Sequence, residues 1–493
     1  MIRLLADPRI RLGACVLAMA VIGGLGLVTH PKAPVTSPEA AVAPAPAVVN
    51  RTALSCPVVA SGGKLSSVVN AVSPTLPEGT PTATGTDTPL SITPLAAKAD
   101  PVGSLLVRGQ IGSTPPATKP APLSIQGTGP LAAGTVGTST TTATEGVNEG
   151  MASVPCQLPG SDFWYVGASG ASDRRDVLEL TNLDSINAEV NVTMYARSGP
   201  QQDMSAARGI VVPARKTFEL FLGQVATNLR DIALHVESTG GRVAPALRSN
   251  PTAGGKPAGV DWLNASAPPA TKVFVPAAAL GAGLRILAVA NPSDLQATAG
   301  LTVHGPNGPF KPAGLETIQV PAGSVKTFRL DTVLHGDPSA ITVTSDQPVT
   351  ASMRMVDGSG KDFASLGSAE ALTGPAYLVL PAHRQPAVLQ VTAPGKSGSV
   401  KFELRDAAGR VLQTRALDVV GGATAPISFK AQVRATYLMV EQTRGTVVAG
   451  VTLMPAAKPA DDDVAQVAAW PLNTSLVFRA QLGAQPDLRA ALR

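Results

Sequence analysis

Short runs of the chain alternate hydrophobic and polar residues, the pattern of strands that bury one face. The run VLELTN at 177–182 corresponds to ILAVAN at 286–291 and to VLQVTA at 388–393, each about 100 residues after the last. Further strand-like runs follow each of the three in the same order. The chain after Cys156 is therefore predicted to contain three repeats.

Each repeat contains about six or seven predicted strands, too many for a single sheet whose apolar face would stay bare. Two sheets packed together are expected, which gives tandem immunoglobulin-like β-sandwich repeats at 157–265, 266–372 and 373–456. A β-propeller is the alternative, but propeller blades repeat every ~40–50 residues. The fold class predicted is all-β, and residues 457–493 are assigned to a C-terminal segment.

Residues 51–156 are predicted to form an N-terminal β region with weaker strand signals. Its last part, GTVGTSTTTATEG at 134–146, offers few side chains to bury and is predicted to be a loose loop. In an oxidising compartment, Cys56 and Cys156 form the expected disulfide that closes this region, because the third cysteine, Cys15, lies in an apolar N-terminal run. Two unrelated buried thiols are the alternative.

That apolar run, residues 12–28, carries no charge, and Arg3, Arg9 and Arg11 precede it. The positive-inside rule then places residues 1–11 in the cytoplasm and makes 12–28 a single transmembrane anchor, with a Pro- and Ala-rich spacer at 29–50. A cleaved signal peptide is the alternative, although small residues at cleavage spacing do not follow the run directly. A lipoprotein signal at Cys15 is disfavoured because the apolar stretch follows the cysteine. The anchor and the signal peptide both export the bulk of the chain, with secretion if the segment is cleaved.

Composition agrees with short strands and turns, since 48 Gly and 44 Pro accompany only 15% charged residues. The net charge of +5 is spread over the chain without a cluster of Lys and Arg. We therefore expect no nucleic-acid partner. The partners expected are the membrane and an envelope protein or cell-wall polymer.

The chemistry needed for catalysis is sparse. Five His residues are unpaired in sequence, and no zinc-protease, nucleophile-elbow or phosphate-loop motif is present. No enzymatic activity, cofactor or metal is predicted, and a calcium site at Asp461–Asp463 is disfavoured against a solvated linker. Candidate ligand-binding residues are Trp164 and Tyr165, whose rings could stack on sugars, and Arg174 and Arg175, which could hold an anionic polymer. Core packing and an exposed loop are the competing interpretations.

The segments Cys156-Gln157-Leu158-Pro159 and Asp162-Phe163-Trp164-Tyr165-Val166-Gly167, with the earlier Cys56-Pro57, resemble an uncharacterised family of actinobacterial membrane-anchored exported proteins. This resemblance implies a domain of unknown function and no known activity. Two functions are consistent with these features. One is a non-catalytic, membrane-tethered scaffold or adaptor, and the other is a glycan-binding module or accessory subunit of an envelope enzyme.

Overall fold

The computed structural model describes residues 47–85, 88–96, 99–201, 205–278, 280–454 and 466–479. The protein is all-β, as predicted, and residues 48–479 form one compact unit. Helical segments in the described part are single turns: 3₁₀ turns at Gly129–Leu131 and Ser205–Ala207, α1 at Leu222–Val225 and α2 at Asp331–Leu334. The first and last strands in sequence are β1 (Ala47–Val48) and β36 (Phe478–Arg479).

The N-terminal unit has eight strands: β2 (Arg51–Cys56), β3 (Leu65–Val72), β4 (Leu90–Pro94), β5 (Gly103–Leu105), β6 (Ile111–Ser113), β7 (Leu123–Thr128), β8 (Val136–Ala143) and β9 (Gly150–Pro155). One sheet has the order β2-β7-β4-β5 and the other β6-β3-β8-β9. Counted within the unit, these orders are 1-6-3-4 and 5-2-7-8.

Repeat 1 contains β10 (Asp162–Ala168), β11 (Arg174–Thr181), β12 (Ala188–Ala196), β13 (Gly199–Gln201), β14 (Ile210–Val212), β15 (Thr217–Phe221), β16 (Ile232–Gly240), β17 (Ala244–Ala253), β18 (Lys256–Pro257) and β19 (Asp261–Leu263). Its strands are ordered β10-β16-β12-β13, with β14 also on β12, and β15-β11-β17-β19, with β18 on β17. With β13 and β14 sharing the fourth position, the two orders match those of the N-terminal unit.

Repeat 2 contains β20 (Ala270–Ala278), β21 (Arg285–Asn291), β22 (Ala297–Gly305), β23 (Gly308–Phe310), β24 (Ile318–Val320), β25 (Ser324–Arg329), β26 (Ser339–Val356) and β27 (Phe363–Gly367). The long strand β26 serves both sheets: its first half pairs with β20 and β22, and its second half with β21 and β27. It therefore occupies the sixth and seventh positions together.

Repeat 3 contains β28 (Ala376–Leu380), β29 (Ala387–Thr392), β30 (Gly398–Arg405), β31 (Val411–Val419), β32 (Thr424–Phe429), β33 (Thr436–Arg444), β34 (Val448–Leu453) and β35 (Ala468–Leu472). The sheets are β28-β33-β30-β31 and β32-β29-β34-β35. Strand β35 lies in the range assigned from sequence to a C-terminal segment, but it pairs with β34 and completes the second sheet. This is a correction to the boundary drawn at residue 456.

The same strand order thus occurs four times, and the N-terminal unit is a fourth copy that the sequence comparison missed. The segment 134–146, predicted to be a loose loop, contains the buried strand β8. Its hydroxyl groups are satisfied inside the protein: Thr138 donates to the Val379 carbonyl and Ser139 to the Pro57 carbonyl. Short β-branched and hydroxyl side chains can fill a narrow space between sheets without a hydrophobic pattern, so the prediction was wrong.

The eighth strands of the four units, β9, β19, β27 and β35, are called the inner strands below. β9 contacts β19, β19 contacts β27, β27 contacts β35, and β35 contacts β9. The β19–β27 contact includes a parallel bridge between Leu263 and Ser365. The four units therefore close into a cycle around an axis formed by the inner strands.

The predicted anchor at 12–28 and most of the predicted spacer at 29–50 lie outside the described residues, as do Cys15 and Asp461–Asp463. At the end of the spacer, Val49 is buried, and its N–H donates to the Val477 carbonyl at 3.0 Å. Within the part of the chain that the structure describes, no helix has the length and hydrophobicity needed to cross a membrane.

Candidate functional site

Two buried carboxylates occupy the axis. Asp362 precedes β27 and accepts a hydrogen bond from the N–H of Met151, in β9, at 3.2 Å. Gly259, which precedes β19, has a positive φ of 95°, and a Cβ at this position would overlap the Asp362 carboxylate. The backbone of three of the four units therefore closes around one side chain, with glycine at the point of closest approach.

Asp261 lies one layer further along the axis. It accepts hydrogen bonds from the N–H of Ser153 in β9 at 3.2 Å and of Ser365 in β27 at 3.3 Å. Asn264 then donates to the carbonyls of Ser365, at 2.6 Å, and Ala469 in β35, at 3.0 Å. We call Asp362, Asp261 and Asn264 the axial polar core, because together they link all four inner strands.

Burial raises the pKa of Asp261 and Asp362 well above the ordinary value. For Asp362, repulsion from the charge of Asp261 raises it further. Backbone N–H donors favour the charged forms but do not offset desolvation. The two side chains are thus held as neutral acids over a wider pH range than exposed carboxylates.

We expect the free energy of unfolding to fall as pH rises through the window from the ordinary value of 3.8 to the raised folded-state pKa values. In that window the folded protein holds protons that the unfolded chain releases. Asp261→Asn and Asp362→Asn should each flatten this fall because an amide cannot ionise. Urea unfolding at a series of pH values from about 4 to about 8 measures how the free energy of unfolding changes with pH. The exposed change Asp294→Asn is the control, and equal slopes in all these proteins would contradict the prediction.

A cavity of about 490 Å³ lies at the carboxyl ends of the inner strands. All four units contribute to its wall, which includes the uncharged polar side chains of Gln157, Asn264 and Asn473 and the ring of Tyr377. Glu370 is the charged residue in its lining. This axial cavity has the size of a small-molecule pocket, and its wall presents amide, hydroxyl and aromatic groups suited to a neutral polar ligand.

The aromatic candidates Trp164 and Tyr165 are in the core. Trp164 is 6% exposed and stacks on His235 with ring centroids 4.0 Å apart, while Tyr165 is 2% exposed. The Tyr165 hydroxyl donates to the Pro245 carbonyl at 2.8 Å, and burial raises its pKa. Tyr165 contributes to the lining of the axial cavity, but both rings are almost wholly buried, so their placement favours the core-packing interpretation over an exposed stacking surface.

The two arginine candidates have different surroundings. Arg174 is largely buried and pairs with the fully buried Asp176 at 2.8 Å. Arg175 is exposed and lies over the Phe221 ring at 5.7 Å from its centroid. The structure therefore does not bring the four candidate residues together as one exposed surface.

Cys56 and Cys156 are joined by a disulfide bond, the pairing predicted from the sequence. Cys56 ends β2 and Cys156 follows β9, so the bond connects the two sheets of the N-terminal unit. The neighbouring N–H of Gln157 donates to the Ser55 carbonyl at 2.8 Å. Cys156 also lines the axial cavity, which places the disulfide beside it.

Sequence reasoning missed the axial polar core. The signal was there: Asp261 and Asp362 each stand beside an apolar strand and close to a glycine, in GVDWL and GKDFASL. A lone carboxylate in that setting indicates either a turn or a buried partner. Only the pairing of inner strands distant in sequence distinguishes the two.

These features define a class: a disulfide-containing, all-β protein of four similar units closed around a polar axis. The chain belongs to the family of unknown function DUF5719, whose model matches residues 110–430. The matched range begins in the N-terminal unit and ends in repeat 3, so it includes parts of all four units. No curated protein matches the chain.

Proposed function

We propose that the protein is a non-catalytic scaffold or adaptor of the cell envelope, whose described part binds an envelope protein. In this proposal each of the four units is an immunoglobulin-like sandwich, and residues 12–28 tether the chain to the membrane with its bulk outside the cytoplasm. The basic residues before the apolar run support the orientation. The disulfide supports an oxidising compartment. An actinobacterial source is part of the proposal through the family resemblance.

The observation that carries the adaptor function is the edge strand β31 in repeat 3. In the other three units the fourth position holds strands of three residues, whereas β31 has nine and pairs only with β30 among the described strands. Leu412 is 48% exposed on this edge, and Val411 beside it is also exposed. Natural proteins usually shorten or charge such edges, because an open edge can pair with another chain. β31 is long, and its exposed charged residues, Arg415 and Asp418, come after Val411 and Leu412, so the start of the edge is apolar.

An extended segment of an envelope protein is the partner that fits an open edge. Such a segment would add a strand beside β31, with affinity from main-chain hydrogen bonds and selectivity from side-chain contacts to Leu412 and its neighbours. The edge strand β31 is held in place by the other strands of its sheet, β28, β33 and β30.

We expect Leu412→Lys to reduce partner capture severalfold without unfolding the protein, because a lysine on an exposed edge opposes strand addition. Crosslinking in cells followed by recovery of the full chain and quantitative mass spectrometry measures the captured partner. Val211→Lys is the matched control, since Val211 is 55% exposed in the edge strand β14 of repeat 1. Equal capture by both variants and the unmodified protein would contradict strand addition at β31.

A glycan-binding or enzyme-accessory function is the second candidate, supported by the axial cavity with its uncharged polar wall. Recovery of wall polysaccharide in the same crosslinking experiment, unaffected by Leu412→Lys, would favour this function over the adaptor.

A further inference from the structure

A second cavity, of about 270 Å³, lies between repeat 1 and repeat 2. Most of its wall is apolar, with Leu284, Ile286 and Val356 among the lining residues. Two arginines, Arg174 and Arg354, also line it. An apolar cavity with a few charged groups resembles the sites that hold small molecules, and its volume is just below their usual range of about 300–1,000 Å³, which suits a short ligand.

Arg174 is already neutralised. Its guanidinium donates to Asp176 at 2.8 Å and to the Ser249 hydroxyl at 2.9 Å, and that hydroxyl donates to Asp176 at 2.6 Å. The remaining acid in the wall, Asp231, forms an ion pair with Arg197. The charges of these groups are therefore balanced within the protein.

Arg354 has no such partner among the described residues: no carboxylate pairs with it, and its guanidinium donates no hydrogen bond there. The group lies over the ring of Phe363, 4.0 Å from the centroid. Burial lowers the pKa of Arg354 to about 9, and the nearby charge of Arg174 lowers it further. The carboxylates of Asp176, Asp261 and Asp173 act in the opposite direction, but none of them forms an ion pair with Arg354. Arg354 thus remains a cation at neutral pH in a partly desolvated cavity, where an unpaired charge is costly.

Repeats 1 and 3 show which neighbouring side chain Arg354 of repeat 2 lacks. In the strand register of repeat 2, Arg354 lies opposite Ile286. The corresponding pairs are Arg248 opposite Val177 in repeat 1 and Thr452 opposite Val388 in repeat 3. Arg248 and Thr452 are therefore the counterparts of Arg354. Arg248 has Glu179 at 3.8 Å, and burial raises the pKa of that carboxyl to about 7.

In repeat 3 the corresponding pair is neutral, since Gln390 donates to the Thr452 hydroxyl at 3.2 Å. In repeat 2 the residue at the position of Glu179 and Gln390 is Ala288, which lines the cavity. Repeat 2 therefore has the cation of this pair without a carboxylate at the position of Glu179, and the cavity lies beside this position.

We propose that this cavity binds a small organic anion, with a carboxylate or phosphate group on Arg354 and a short apolar body against Leu284, Ile286 and Val356. The bound anion supplies the negative charge that Glu179 supplies in repeat 1. The site is separate from the β31 edge, and neither proposal depends on the other.

Hexanoate and butyl phosphate are suitable probes, with hexylamine as the control of opposite charge. Isothermal titration of the full chain should detect binding of at least one anion and none of hexylamine. Arg354→Met keeps the length and apolar character of the side chain but removes its charge. It should weaken anion binding about tenfold or more, since charge-assisted hydrogen bonds are lost.

Two further variants make the test independent of folding defects. Arg248→Met removes the matched arginine of repeat 1 and should leave anion binding unchanged. Ala288→Glu introduces the missing carboxylate beside Arg354, so it should abolish anion binding while the protein stays folded, as circular dichroism and thermal melting would show. The proposal would be overturned if neither anion bound the unmodified protein. It would also be overturned if Arg354→Met and Ala288→Glu bound the anions as tightly as the unmodified protein does.

Discussion

Removing the disulfide by Cys56→Ala/Cys156→Ala should lower the free energy of unfolding of the N-terminal unit by about 2–5 kcal/mol. The bond joins residues 100 positions apart, so it restricts the unfolded chain strongly. It also ties β2 to the end of the inner strand β9. Urea unfolding, followed by far-ultraviolet circular dichroism, measures the loss.

Reduced wild-type protein is the control for that measurement and should match the double variant. A change of less than about 1 kcal/mol in both would mean that the native contacts alone fix the N-terminal unit. A loss seen only in the variant would instead point to the cavities left by the two removed sulfur atoms.

The second large effect is expected for Trp470→Ala. Trp470 belongs to β35 and is fully buried in the hydrophobic core of repeat 3, which it shares with Phe402 and Phe429. Truncating a buried tryptophan costs about 3–5 kcal/mol, through lost burial and the cavity left behind. Phe478→Ala is the control: Phe478 is close in sequence but 41% exposed, and its truncation should change the free energy of unfolding little.

Thermal and urea unfolding of both variants test whether β35 is integral to repeat 3. If Trp470→Ala were as stable as Phe478→Ala, residues 468–472 would contribute little to repeat 3, in agreement with their assignment from sequence to a separate C-terminal segment.

Much of the fold could be predicted from alternation, because strands such as β11, β21 and β29 alternate apolar and polar residues and repeat at a nearly constant spacing. The structure buries both faces of these strands, so their polar residues are also in the interior. The N-terminal unit could not, since its strand β8 fills its core with Thr and Ser, whose burial depends on hydrogen-bond partners elsewhere in the chain. The hydroxyl of Thr138 illustrates this: its acceptor, Val379, is 241 residues away.

The candidate sites were less predictable for a related reason. In sequence, a pair of aromatic residues such as Trp164 and Tyr165 looks the same whether it packs in a core or forms a binding surface. Only the stacking of Trp164 on His235 and the hydrogen bond from Tyr165 to the Pro245 carbonyl decide between these two interpretations. Arg354 gave no signal in sequence, because its significance lies in the absence of a carboxylate at position 288. The alignment of VLELTN, ILAVAN and VLQVTA already places Ala288 against Glu179 and Gln390, but only the structure shows that this position lines the same cavity as Arg354.

The contact between β9 and β35 has a consequence for chain connectivity. A closed cycle has no intrinsic first member, and Val49 and Val477 are already hydrogen-bonded, so the two ends of the compact unit are neighbours in space. A circular permutant that joins these ends and opens the chain between repeats 1 and 2 would keep all four inner-strand contacts. The order in which the units are synthesised is therefore separable from the architecture they form.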